Sequence, residues 1–443
     1  MDKCKYIYTK QLYNTIVNKQ WFNKSELTIS SFIDDLLTTF HLTQLITIKM
    51  NEISQHDTIQ FHHINPFIWD YGNILYFWEH RILKNNNTIS DPPIYDPTII
   101  KPFSRVMLYQ IGNVLLSFDT IQQCLNKIRV ALINELTEID ISLPINQYFL
   151  HLIRIGQLYQ DSVNERFLYS SNLQSINIFQ QINTLDEVEP ILDQIQMIQV
   201  QETAYLMGSN ETMYDNAAPP FMVALNKFAV SKYPITNYMY LQFINAGGYT
   251  NNKYWTFDGW NWISRNKLVY PLYWQYNNIW YEKVFDKYIP LRLNNPVINI
   301  SWYEAYAFSS WKGCRLLKES EWEYLASMSN KETGHLSSSI LSNKNETMLT
   351  NSNTISVMKD KNISSNGVVG LFGNCWEWCF DICYPYDGFV KDLIDPMTSC
   401  QLFGNRVCRG GSWATSKNIV STHYRKAIDP ECCIEYTGFR VAI

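Results

Sequence analysis

Charge is scarce in this chain of 443 residues: Asp, Glu, Lys and Arg together make up 17%, against about 25% in an average globular protein. Neither sign dominates, with 36 basic and 41 acidic residues and a formal net charge of -5. Without a basic excess the chain has no electrostatic footprint for nucleic acid, and no nucleic-acid partner is expected. Glycine and proline are few, 17 and 16 residues, which excludes collagen-like and linker-dominated designs. No stretch approaches the roughly 18 uncharged apolar residues of a membrane span, so no membrane partner is expected either. The opening segment, MDKCKYIYTKQLYNTIVNKQWF, holds no apolar run of signal-peptide length. A cytoplasmic protein is therefore expected, with its ten Cys as thiols rather than disulfides. Sequons such as those at Asn345 and Asn362 then carry no information.

What is present is apolar and aromatic. Hydrophobic residues make up 46% and aromatics 15%, from 29 Tyr, 22 Phe and 14 Trp. That is ample material for packed cores, and the length argues for two or three domains at roughly 150 residues each. Up to about residue 170, apolar residues recur at helical spacing, as in Phe32, Leu36, Leu37 and Phe40, then Val114, Leu115, Phe118 and Ile121, then Tyr148, Leu152, Ile155 and Tyr159; this predicts a helical bundle over 1–170. Residues 171–196 are Asn/Gln/Ile-rich and read as a linker. From 197 to 443, short segments punctuated by Gly and Trp replace the long periodic ones, giving an α+β chain. Two short helices are predicted there: one from Trp302 with Ser301 as N-cap, and one over Glu319–Ala326 opened by carboxylates in its first turn. The Ser/Asn-rich stretch from about 328 to 366 reads as a long surface loop.

Eight phrases of the second half resemble, in order, the formylglycine-generating-enzyme domain, a fold related to C-type lectins. They are Met207-Gly208, Tyr233-Pro234-Ile235-Thr236-Asn237, Asn295-Pro296-Val297, Ser301-Trp302-Tyr303-Glu304-Ala305, the run from Arg315 to Glu323, Gly373-Asn374-Cys375-Trp376-Glu377-Trp378, Arg409-Gly410-Gly411-Ser412-Trp413 and Gly438-Phe439-Arg440. A fold with little regular structure must satisfy its backbone through side chains, and Asn374, Glu377, Arg409, Ser412 and Arg440 are the candidates. The cysteine pair that such enzymes carry after Gly-Gly-Ser-Trp is missing here, because Ala414 to Val420 holds no Cys; that oxidase activity is not expected. Nearly the whole chain instead resembles the sulfoxide synthases of ergothioneine and ovothiol biosynthesis, which join a DinB-like helical bundle to this same domain. Asn245-Ala246-Gly247-Gly248-Tyr249 and Pro385-Tyr386-Asp387-Gly388-Phe389 extend the likeness.

That resemblance implies an iron site of three histidines, one after a Trp-Asp phrase and two at i, i+4 on a later helix, where both rings project from one face. Here the first phrase, Trp69-Asp70-Tyr71-Gly72-Asn73, puts Asn73 at the histidine position, and Tyr159 and Val163 stand at the other two. Valine cannot ligate a metal, and an amide oxygen is a poor partner for Fe(II). No cofactor is expected; iron would require relocated ligands, for which His63, His80 and His151 are the candidates, none of them at i, i+4 to another. Cys375, Cys379 and Cys383 recur every four residues, unlike a Cys-x-x-Cys zinc knuckle, and are expected as buried free thiols. For a substrate, the resemblance points to Arg105 as a carboxylate clamp, to Ser162 and Glu165 on the later helix, and to Tyr384 and Tyr386 as candidates for the family's catalytic tyrosine acid. Lys426-Ala427 stands where the family often carries Asn and an aromatic.

The expected function is a divergent sulfoxide-synthase homologue without iron-dependent C–S bond formation, whose interdomain cleft takes a small amino-acid or thiol ligand or supports metal-free chemistry. The alternatives are an active thiol-oxygenase with relocated ligands and a non-enzymatic lectin-like display scaffold.

Overall fold

A computed structural model describes residues 28–54, 64–83, 115–179, 189–337, 340, 349, 353–391 and 403–443. The described residues form two compact units, the first reaching Phe167 and also taking in Glu211–Met213, the second beginning at Leu168.

The helical unit contains α1 (Ile29–Ser54), α2 (Phe67–Tyr76), α3 (Phe118–Thr137) and α4 (Pro144–Leu173), the last of which continues past the division. In α1 the apolar residues Phe32, Leu36, Phe40, Ile46 and Met50 are buried along one stripe, as the helical period requires. Helix α3 begins where Ser117 accepts a hydrogen bond from the Thr120 N–H at 3.2 Å and buries Ile121, Leu125, Leu132 and Leu136. Pro144 is the first residue of α4, a position whose N–H has no intrahelical acceptor. Beyond α2 the backbone widens into a π-helical turn over Phe77–Ile82. Trp78 in that turn packs so closely on Gly156 of α4 that a Cβ there would lie 2.6 Å from the indole. Its indole N–H donates to Gln160 at 2.8 Å, and Gln160 in turn donates to Thr43 of α1 at 2.7 Å, so a buried polar chain laces the apolar helices together.

The second unit is built from short strands. One sheet has the order β1 (Met197–Val200), β4 (Phe228–Ser231), β13 (Val441–Ala442), β8 (Arg315–Leu316). Another runs β11 (Lys426–Ile428), β10 (Arg406–Arg409), β9 (Trp376–Ile382), β12 (Thr437–Gly438). A hairpin of β2 (Thr203–Met207) and β3 (Phe221–Leu225) and a meander of β5 (Trp274–Asn277), β6 (Ile279–Val284) and β7 (Lys287–Pro290) complete the strands. Among them lie α5 (Asn237–Asn245), α6 (Phe257–Asn266), α7 (Trp302–Trp311) and α8 (Glu319–Ala326). Both predicted short helices are present. Ser301 caps α7 in a capping box, accepting from the Glu304 N–H at 3.2 Å while Glu304 accepts from the Ser301 N–H at 2.8 Å.

Five side chains expected to serve as backbone partners are buried, and the most central is Glu377. Its carboxylate receives two bonds from Arg440, at 2.6 and 2.7 Å, and one from the Trp322 indole at 3.0 Å. Arg440 also donates to the carbonyls of Ser231 and Val369. One ion pair thus joins β9, β4, α8 and the Val369 loop. Asn374, in a left-handed conformation, exchanges both of its amide functions with the backbone of Ile355. Gly373 before it has φ +84, and a Cβ would lie 2.3 Å from the His335 carbonyl oxygen, so only glycine fits this crossing.

The expectation of a surface loop over 328–366 is corrected in its described parts. Leu336, Ile340, Leu349, Val357, Asp360 and Asn362 are all buried. The polar residues there replace a sheet ladder: Asn362 donates to Asn330 O and Thr333 Oγ1 and accepts from the Leu371 and Phe372 N–H groups. Low apolar content was read as exposure, whereas these side chains are buried with their hydrogen bonds made. Within the expected linker, Asn172 accepts from the Phe285 N–H at 2.6 Å and Leu192 N–H donates to Asn294 at 2.9 Å.

Arg440→Leu should destabilise this unit by about 3–5 kcal/mol, because it leaves Glu377 charged and unpaired in the core. Urea unfolding followed by tryptophan fluorescence measures this, and a loss under about 1 kcal/mol would contradict it. Asp360 offers a pH test. Burial raises its pKa from 3.8 to about 6 despite the Asn362 N–H and the Arg440 charge. A carboxyl whose folded pKa is raised favours the folded state below the unfolded pKa and loses that contribution as pH rises through the folded one. Stability should therefore fall between about pH 4 and 6 through this residue, and Asp360→Asn should recover up to about 3 kcal/mol at pH 7. Equal pH slopes for variant and parent would refute the assignment.

Candidate functional site

The helical unit brings two of the three expected ligand positions side by side. Asn73 on α2 and Tyr159 on α4 are both buried, and the Tyr159 hydroxyl donates to Asn73 Oδ1. Phe77 stacks on the Tyr159 ring at 4.0 Å with the planes 13° apart. Val163 lies one turn further along α4, fully buried. The donor set here is an amide oxygen already accepting a bond, a phenol already donating one, and two methyl groups. Such a set does not fit ferrous iron, which takes imidazole and carboxylate ligands. Asp70 of the Trp-Asp phrase pairs with Arg166 at 3.1 Å and accepts from Asn65 at 2.9 Å.

Of the predicted substrate residues, Ser162 donates back to the Tyr159 carbonyl at 2.7 Å, so its hydroxyl is engaged by its own helix. Glu165 is buried on the same helix. Arg105 lies outside the described residues. The relocation candidates are likewise divided: His63 is outside the described residues, His80 stacks on Tyr76 at 4.7 Å, and His151 is buried on α4. Among the described residues no group of three or more His, Cys, Asp and Glu side chains is arranged to hold a metal ion.

In the second unit, Glu319 and Glu323 project from one face of α8 at i, i+4. Arg425 grips Glu319 with two bonds of 2.7 and 2.9 Å, and Arg409 pairs with Glu323. Glu323 also accepts from the Gly208 N–H at 2.6 Å and sits 3.0 Å from His423 Nδ1. Burial pushes the Glu323 carboxyl up, but Arg409, His423 and the Gly208 N–H outweigh it and hold the group below its usual range. The resemblance marked the run from Arg315 to Glu323 and the phrase that holds Arg409. Arg425 and His423 were missed as their partners, because no local pattern links residues some 100 positions apart.

The two tyrosine candidates separate at this cluster. Tyr384 is 59% exposed and contributes its carbonyl to Arg425 at 3.0 Å. Tyr386 is buried with the Arg425 guanidinium 4.2 Å over its ring, and its hydroxyl has no hydrogen-bond partner among the described residues. Burial raises the Tyr386 pKa, so the phenol stays protonated at neutral pH.

Cys375, Cys379 and Cys383 are free and buried, as expected. They lie along and beside β9, where a four-residue spacing returns to the same face of the strand. Burial raises all three thiols, that of Cys383 to about 11, so they are not nucleophilic thiolates at neutral pH.

The family profile of the sulfatase-modifying factor enzyme 1-like domain matches residues 185–443. The chain belongs to this family. A hercynine oxygenase of Mycobacterium tuberculosis is 28% identical over 237 residues, 52% of this chain and 55% of that protein. A serine/threonine-protein kinase pkn1 of Chlamydia caviae is 26% identical over 64% of this chain and 44% of its own length. A formylglycine-generating enzyme of Thermomonospora curvata is 26% identical over 52% of this chain and 86% of its own. The chain thus spans about half the length of the first of these relatives. Three differently named proteins resemble this chain, so family membership gives the scaffold and leaves the chemistry to individual residues. No described helix is long and apolar enough to cross a membrane.

Tyr159→Phe keeps the stack on Phe77 but removes the phenol donor from the buried Asn73 oxygen. It should cost about 1–3 kcal/mol in the unfolding of the helical unit, read by far-UV circular dichroism in urea. A change below about 0.5 kcal/mol would mean that the hydroxyl does not hold Asn73.

Proposed function

We propose that the chain is a divergent relative of the non-haem iron sulfoxide synthases that has lost iron-dependent C–S bond formation and binds a small amino acid or thiol without a metal. The observation that carries this reading is the hydrogen bond between Tyr159 and Asn73 beside Val163. Family membership and the likeness to a hercynine oxygenase support descent from an oxygenase scaffold. The reading includes a DinB-like identity for the helical unit, a C-type-lectin-like architecture for the second unit and a cytoplasmic location. Arg105 and Glu165 are the candidate polar contacts to the ligand in the helical half, with Ser162 beside them. Tyr386 is the better placed of the two tyrosines, since its buried hydroxyl is uncommitted while Tyr384 faces solvent.

Metal analysis of protein purified without chelator from iron-supplemented cells tests the loss. Substoichiometric iron is expected, together with no oxygen uptake on adding cysteine and a histidine derivative. The combined variant Asn73→His, Tyr159→His and Val163→His should gain stoichiometric Fe(II) or Co(II), since it restores two imidazoles at i, i+4 opposite a third. Stoichiometric iron in the parent protein, with oxygen uptake that depends on both substrates, would overturn the proposal.

A further inference from the structure

A small cavity in the second unit is lined by residues of the β5–β7 meander, the end of α4 and the loops around Asn299, Asn353, Trp413 and Tyr436. Three of its wall residues carry buried polar groups with no hydrogen-bond partner among the described residues: the Tyr273 hydroxyl, the Trp413 indole N–H and the Asn353 side-chain N–H₂. A buried donor left unpaired is costly and rare in native proteins. Three on residues of one cavity wall indicate a shared acceptor rather than three separate defects.

Three acceptors in the same wall are already engaged. Asn172 Oδ1 takes the Phe285 N–H, Asn353 Oδ1 takes the Thr354 N–H at 2.8 Å, and Glu282 is held by Arg292 through bonds of 2.7 and 3.2 Å. Lys283, half-buried, donates to the Leu173 carbonyl at 3.2 Å and places its ammonium 5.2 Å over the Tyr273 ring. A wall with three uncommitted donors, an already paired carboxylate and a cation suits a negatively charged oxygen pair. The rest of the lining is apolar, from Trp274, Val284 and Phe285, which suits a short hydrocarbon tail.

We propose that this cavity binds the carboxylate of a small aliphatic monocarboxylic acid, held by Tyr273, Asn353 and Trp413. The site lies wholly within the second unit and does not depend on the reading given for the helical half.

Full-length protein labelled with ¹⁵N-tryptophan and titrated with sodium propionate tests this. The Trp413 indole resonance, identified by its absence in Trp413→Phe, should move to a saturable limit. The near-isosteric Tyr273→Phe should fold normally and weaken the apparent affinity about tenfold. Should Trp413→Phe fail to fold, the resonance is identified instead as the one whose propionate response changes in Tyr273→Phe. The proposal is overturned if no indole resonance moves further in propionate than in sodium chloride of equal ionic strength, which would mean that a trapped water satisfies the donors. It is equally overturned if Tyr273→Phe binds propionate as the parent does.

Discussion

The second unit depends on one buried ion pair. Glu377 and Arg440 are both fully enclosed, and between them they engage the Trp322 indole and the carbonyls of Ser231 and Val369. Short strands cannot stabilise themselves, because two or three residues contribute too few ladder bonds and too little apolar area. A guanidinium with five donors in a fixed fork can reach several such strands at once. The same side chain that carries a charge into the core therefore supplies the cross-links that regular sheets supply elsewhere. The cost of burying the charge is offset only while every bond is made, so the pair acts as a geometric constraint on the loops around it.

The cluster on α8 extends this logic toward the surface. Glu319 and Glu323 are matched by Arg425 and Arg409, so both carboxylates have structural tasks. A perturbed carboxyl in a cleft is a general reason to suspect catalysis, but here the cause of the shift at Glu323 is a set of fixed partners. The groups with freedom to act are those at the margin: His423, part-exposed on Glu323, and Tyr386 beneath Arg425. The chemistry of this unit is thus to be sought around the cluster rather than in it.

What could be read in advance follows a physical division. Elements set by neighbours in sequence were legible: the Ser301 capping box, the carboxylate-led α8, and the apolar stripe of Phe32, Leu36 and Phe40. The Trp- and Gly-rich phrases were legible as scaffold, and the burial of Cys375, Cys379 and Cys383 matches their core-facing phrase. What failed was the inference from polarity to exposure over 328–366, because a buried Asn362 with five hydrogen bonds looks in sequence like any loop asparagine. Pairings across long separations, such as Arg425 with Glu319 or Tyr159 with Asn73, left no local trace. The cavity at Tyr273 was equally hidden, since its wall is assembled from seven separate stretches of chain.

The pair at Asn73 and Tyr159 shows how a buried polar position in the helical unit is satisfied by side chains. A buried void or an unsatisfied polar neighbour destabilises a core. Here the two side chains complement each other: the phenol donates to the amide, and the tyrosine ring packs against Phe77. Val163, one turn further along α4, is fully buried. Two buried side chains that satisfy one another link α4 to α2 through a hydrogen bond, with a ring stack on the turn that follows α2. That link is the local constraint on which the proposed absence of an iron site rests.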